Sequence, residues 1–183
     1  MYIVGFVGSP RHGGNTDTLV DEVLKGASKE GAVTRKYSLA GMEIHPCTAC
    51  DACKPRGECV FEDDMVELAR EMEKADVYVI GTPVYFWGPS AQLKAFVDRW
   101  YSLQEKGASF MNGKKAALVC THEDASKTTA QHIVGMFRES FKYLKVDFVD
   151  QLLVSIDGKG EVKKDRDAME AARRLGGTLS GTP

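Results

Sequence analysis

Apolar and polar positions along this chain alternate between two periods. Tyr2 to Gly8, Asp76 to Pro83 and Lys114 to Cys120 are short apolar runs of the kind that form buried strands. After each comes a stretch with apolar residues three and four positions apart, which predicts a helix: Leu19, Val20, Val23, Leu24 and Ala27; then Leu93, Phe96, Val97, Trp100 and Leu103; then Ala130, Ile133, Val134, Phe137, Phe141 and Leu144. Between the first two units, Val33 to Leu39 alternates loosely after Gly31, as a partly exposed strand near a sheet edge would. A long irregular segment, Gly41 to Cys59, precedes a helix from about Asp63 with Met65, Leu68, Ala69 and Met72 on one face and Asp63 or Asp64 as its cap. Val146 to Ile156 contains a last strand. A closing helix from about Lys164 to Leu179 turns Ala168, Ala171, Ala172 and Leu175 inward, and a frayed end follows at Gly181-Thr182-Pro183.

Five strands alternating with five helices define an α/β fold, a doubly wound sheet of parallel strands with helices on both faces. In the flavodoxin-like order 2-1-3-4-5 the strand order reverses between strands one and three, and ligands bind at the carboxyl edge there. Ser9 to Thr16 and Pro83 to Ser90 flank that point.

The first of these loops is polar and opens a helix. It offers backbone N–H groups, two hydroxyls and a guanidinium where the helix dipole favours an anion. A phosphate is the expected guest, with a plain turn capped by Asn15 or Thr16 as the simpler reading. Gly13 and Gly14 are followed by Asn15 and Thr16 and not by Lys and a hydroxyl residue, so the loop is not a Walker loop. Counted from Gly8, the dinucleotide fingerprint would need Gly where Pro10 stands. One terminal phosphate fits better than a pyrophosphate. In the second loop Tyr85, Phe86 and Trp87 beside Gly88 supply flat faces and exposed backbone for a conjugated ring. The same aromatics could instead pack beneath the next helix. A ring with one phosphate describes FMN.

The 183 residues, 43% hydrophobic, suffice for one core, and the chain reads as one domain over 1–183. A net charge of −2, with no basic tract carrying interleaved aromatics, gives no support for nucleic-acid binding. No run of about 18 apolar residues and no leader pattern occurs, so a cytoplasmic protein off the membrane is expected.

Four of the five cysteines fall within 13 residues, in the loop 45–62. Cys47, Cys50, Cys53 and Cys59 are spaced C-x₂-C-x₂-C-x₅-C, matching the ferredoxin run except for a longer last interval. In a reducing compartment such a set serves metal or redox chemistry. An iron–sulfur cluster is favoured over zinc, whose C-x₂-C halves usually stand further apart, and over paired or ligand-free thiols. Lys54 and Arg56 would offset part of the cluster's negative charge. Because the loop follows strand two, it is expected on the same sheet edge as the flavin. Cys120, ending an apolar strand, reads as core, and His12, His45, His122 and His132 have no ligand spacing.

Gly8-Ser9-Pro10-Arg11 with Gly13-Gly14-Asn15-Thr16, Ile44-x-Pro46-Cys47 through Cys59 to Asp63-Asp64-Met65, and Pro83-Val84-Tyr85-Phe86 through Lys94, Phe96, Asp98 and Arg99 resemble the iron–sulfur flavoproteins. These belong to the NAD(P)H-dependent FMN reductase superfamily. The resemblance implies a flavodoxin-like oxidoreductase that forms dimers or tetramers. It also implies that Ser9, Arg11, Asn15 and Thr16 hold the FMN phosphate and that Pro83, Val84, Tyr85, Phe86 and Gly88 line the ring. Cys47, Cys50, Cys53 and Cys59 would ligate a [4Fe–4S] cluster. Trp87 and Thr121 are further candidate flavin contacts; the loop Thr121-His122-Glu123-Asp124 departs from the Gly-rich form common in relatives. FMN and the cluster would exchange electrons, with NAD(P)H or a ferredoxin as redox partner. Two other readings stand beside this one: an NAD(P)H-dependent FMN or quinone reductase with no working cluster, and a non-enzymatic flavin- or metal-binding regulatory module.

Overall fold

The computed structural model describes residues 1–104, 110–126 and 128–181. Five strands form one sheet: β1 (Tyr2–Val7), β2 (Val33–Ser38), β3 (Val77–Pro83), β4 (Lys115–His122) and β5 (Asp147–Ser155), in the order β2-β1-β3-β4-β5 and all parallel. The helices are α1 (Asn15–Lys29), α2 (Cys53–Arg56), α3 (Met65–Lys74), α4 (Ala91–Asp98), α5 (Trp100–Gln104), α6 (Gln131–Leu144) and α7 (Arg166–Ser180). The expected fold class and strand order are therefore found.

The pleat explains why the central strands are apolar throughout. Successive side chains point to opposite faces, and both faces are covered. Ile3, Val7, Val77, Val79, Ala117 and Val119 meet α1 and α7 on one face. Val4, Phe6, Tyr78, Ile80, Ala116 and Leu118 meet α3 to α6 on the other, where Phe6 packs on the rings of Tyr37, Tyr78 and Phe96 at 4.8–6.3 Å. On the first face α1 and α7 cross almost backbone to backbone. A Cβ on Gly26 would lie 2.1 Å from the Arg173 carbonyl oxygen, and one on Gly176 would lie 1.9 Å from that of Val23. The edge strand β2 is open as expected, with Val33 67% exposed and only Tyr37 buried.

Three boundaries differ from the sequence pattern. The apolar stripe from Leu93 to Leu103 continues without interruption, yet the helix breaks at Arg99 into α4 and α5. Thr121 and His122, expected in a loop, extend β4, because Thr121 pairs in register with Pro83 and His122 with Ser155. The cysteine segment contains α2, a single turn closed by Gly57 at φ +71°, in the left-handed region that glycine adopts without a Cβ clash. The end expected to fray, at Gly181-Thr182-Pro183, lies outside the described residues after Gly181.

Candidate functional site

At the carboxyl edge, the two loops that flank the reversal between β1 and β3 are tied together by backbone and by one serine. The Gly8 N–H donates to the Gly81 carbonyl (2.8 Å), and that of Val84 to the Thr121 carbonyl (2.8 Å). Ser90 is fully buried: its hydroxyl donates to the Gly8 carbonyl (2.6 Å) and accepts from the Leu93 N–H (3.2 Å), capping α4. Gly8 is required here, since a Cβ would sit 2.6 Å from that of Leu93 and 2.8 Å from the Ser90 hydroxyl.

Between the loops lies a cavity of about 420 Å³. Ser9, Arg11, Asn15 and Thr16 line one side and Pro83, Val84, Tyr85, Phe86, Trp87 and Thr121 the other, so ten of the eleven sequence candidates for cofactor binding meet at one place. Gly88 is the exception. Its N–H and carbonyl are spent on Tyr85 (3.0 and 2.9 Å), closing a tight turn in which Phe86 and Trp87 adopt φ of +48° and +59°. Such angles cost a bulky residue roughly 1–2 kcal/mol each and mark a turn that its surroundings impose. The reading that these aromatics pack beneath the next helix does not hold, because Phe86 is 97% and Trp87 58% exposed.

On the Ser9 to Thr16 side, the first helical bond of α1 runs from the Thr18 N–H to the Gly14 carbonyl (2.9 Å), so the N–H groups of the first turn have no intrahelical acceptor. The Arg11 N–H donates to the Ser9 hydroxyl (3.2 Å) and that of Gly13 to Asp17 (2.7 Å). Burial alone would raise the Asp17 pKa; hydrogen bonds from Lys36 (2.6 Å) and Gly13 outweigh it and hold the carboxyl below its usual range. Thr16 and Thr121 share a buried hydroxyl–hydroxyl bond of 2.7 Å. Asn15 stands on the cavity wall, but its amide reaches across to the segment after β5. Its Nδ2 donates to the Gly158 carbonyl (2.7 Å) and its Oδ1 accepts from the Val162 N–H (3.1 Å).

That contact brings in a wall that sequence reasoning missed. The turn after β5 adds Ile156, Gly158 and Lys159 to the cavity, and Thr129 joins from the loop after β4. Only its position, following a parallel strand on the same edge, announces the β5 turn in the sequence. His122, Glu123 and Asp124 also line the cavity. The Thr129 hydroxyl (2.6 Å) and the Ser126 N–H (2.7 Å) donate to Asp124 and hold its carboxyl below the usual range.

The four clustered cysteines line a second, small cavity of about 20 Å³, together with Phe61, Arg99 and Tyr101. Cys47 and Cys50 are exposed, Cys59 half-buried and Cys53 buried, and no disulfide joins any of them. Among the described residues, no three His, Cys, Asp or Glu side chains form a group that could hold one metal ion. Ala49 and Asp51, at φ +53° and +57°, bend the rim, and the Tyr101 hydroxyl holds Asp51 (3.2 Å). Hydrogen bonds from the Ala52 backbone and from Thr48 lower the Cys50 pKa.

Lys54 and Arg56 stay at the surface, facing Asp51 (3.0 Å) and Glu58 (3.9 Å), where water screens them. The cysteine cavity abuts Arg99 and Tyr101, just past the C-terminal end of α4 and beside Asp63, just before the start of α3. Cys120 is core, as read from the sequence, and burial pushes its thiol up to about 12. No helix among the described residues is long and apolar enough to cross a membrane.

A parallel sheet with its cavity at the reversal of strand order, one polar loop and one aromatic loop facing each other, defines a flavodoxin-like protein. Residues 1–159 match the family described as NADPH-dependent FMN reductase, and the chain belongs to that family. It is 35% identical to an iron–sulfur flavoprotein of Methanocaldococcus jannaschii over 192 residues, covering 96% of this chain and 94% of that one. To the iron–sulfur flavoprotein of Methanosarcina thermophila it is 38% identical over 118 residues, 64% of this chain and 62% of that one. Among solved structures, an NAD(P)H:quinone oxidoreductase from Methanothermobacter marburgensis superposes over 100% of this chain and 98% of its own with a TM-score of 0.77 at 18% identity, a likeness of fold. The protein is thus an FMN-dependent oxidoreductase, and a non-enzymatic regulatory module is disfavoured.

Proposed function

We propose that this oxidoreductase passes electrons between FMN in the 420 Å³ cavity and a [4Fe–4S] cluster ligated by Cys47, Cys50, Cys53 and Cys59. The observation that carries the reading is that all four thiols, at ferredoxin-like spacing, line one cavity. The donor set fits, and the 20 Å³ interior requires the exposed rim around Cys47 and Cys50 to move outward on loading.

Within the flavin cavity, Ser9, Arg11, Thr16 and the first-turn N–H groups of α1 would hold the phosphate. Pro83, Val84 and the ring faces of Tyr85, Phe86 and Trp87 would border the isoalloxazine, with Thr121 beneath. The flavin and the cluster supply the electron chemistry when bound, and the protein supplies position, exclusion of water and potential. No side chain is needed as a nucleophile.

Anaerobically purified protein is expected to be brown, with about four iron atoms per chain, and Cys53→Ser to lose that iron while keeping FMN. A colourless protein holding stoichiometric zinc would sink the cluster. The tightness of the cysteine cavity favours, as a second reading, an NAD(P)H-dependent FMN or quinone reductase without a cluster. In that case NAD(P)H bleaches the flavin equally fast in wild type and in Cys53→Ser.

A further inference from the structure

Arg99 is among the largest fully buried side chains of the molecule, with 2% of its surface exposed. Its guanidinium is gripped from both ends of the cysteine loop. One terminal nitrogen donates to Asp63 (2.5 Å) and to the His45 carbonyl (2.9 Å), and the other donates to Asp63 (3.2 Å). Its carbon lies 5.3 Å from the centre of the Phe61 ring, which stacks on His45 at 5.0 Å. Asp63 is equally buried and also accepts the N–H groups of His45 (2.9 Å) and Met65 (3.1 Å). Its single charge is therefore shared among several donors.

One donor of Arg99 is left over. The buried Nε–H has no acceptor among the described residues, and a buried donor left unpaired is destabilising. Arg99 stands on the wall of the cavity that the four cysteines line. The nearby surface cations, Lys54 and Arg56, already face carboxylates in water, so the one buried cation at this cavity among the described residues is Arg99. In a low-dielectric interior its charge acts more strongly than theirs.

We propose that Arg99 contacts the anionic iron–sulfur group, donating its Nε–H toward cluster sulfur and raising the cluster's reduction potential, with Asp63 as the residue that positions it. Charge near a cluster and hydrogen bonds to its sulfurs are among the levers that set its potential. This assignment rests on the cluster reading given above.

The test is a redox titration of the cluster, followed by electron paramagnetic resonance, in the wild-type protein and in Arg99→Lys and Asp63→Asn. Iron content, FMN affinity and circular dichroism are measured alongside. Lysine keeps the charge and removes the Nε–H, so the potential should fall. Asparagine removes the compensating anion, so the potential should rise. Each shift is expected to change the one-electron equilibrium with the flavin about tenfold, or 59 mV, with FMN affinity unmoved. If Arg99→Lys does not fold, the rise in Asp63→Asn carries the test. Unchanged potentials, shifts of the same sign, or loss of iron from both variants with FMN still bound would reduce Arg99 to a structural clamp. Wild-type protein without iron would overturn the cluster reading and this assignment together.

Discussion

Asn15 shows how a residue's place in a site can be legible while its partners are not. Its position at the start of α1 marks it as a phosphate ligand, but its amide is occupied by Gly158 and Val162, 143 and 147 residues away. It ties the cavity wall to the turn after β5. With each neutral hydrogen bond contributing about 0.5–1.5 kcal/mol, Asn15→Ala should weaken FMN binding about tenfold and speed hydrogen exchange at the Val162 amide. A loss of FMN with Val162 protection intact would mean that Asn15 meets the phosphate itself. Ser9, Thr16 and the aromatic trio were legible because their chemistry stands beside a strand end. Lys159 and Gly158 were not, since a short Gly-rich turn carries no chemistry of its own. Nor was Arg99, because a charged residue between apolar positions looks like a solvated helix face until its partners are known.

The helices and strands were legible because period two and period 3.6 are imposed by burial on both faces of the sheet. The break at Arg99 escaped notice, since Phe96, Trp100 and Leu103 keep their spacing through it and the backbone alone changes course. The glycines of α7 carry a finer distinction. Gly176 touches the backbone of α1, and Gly176→Ala must push two helices apart, an overpacking that costs about 3 kcal/mol and lowers Tm by roughly 6–12 °C. Next to it, a Cβ on Gly177 would meet nothing closer than the Glu30 Cγ at 4.0 Å. Gly177→Ala should therefore raise stability by about 0.5–1 kcal/mol, through reduced backbone entropy. Thermal melts of the two variants should move in opposite directions.

For the molecule as a whole, buried carboxylates tie the layers together and make its stability depend on acid. The Tyr2 hydroxyl, followed by Lys74, holds Glu71 down to about 2. Asp63 and Glu22 also lie below their usual values, since the hydrogen bonds of Arg99 and His45, and of Lys25 and Arg173, outweigh burial. A group whose pKa is depressed by folding contributes stability above its unfolded value and loses it as pH falls through the folded one. The urea midpoint should hold from neutrality to about pH 5, then decline steadily towards about pH 2. Glu71→Gln should start lower at neutral pH and decline less; a midpoint that does not change across that acid range would contradict this account.

The short α4 has a further consequence. One end is capped by Ser90 at the flavin edge, and the other runs directly into the Arg99 clamp at the cysteines. A two-turn helix hardly compresses, so a shift of one end is delivered to the other. Under the cluster reading proposed above, whatever factor iron loading applied to flavin affinity, flavin would by thermodynamic reciprocity apply to iron affinity. The two groups would then be inserted in either order, and the second would meet a chain already biased by the first.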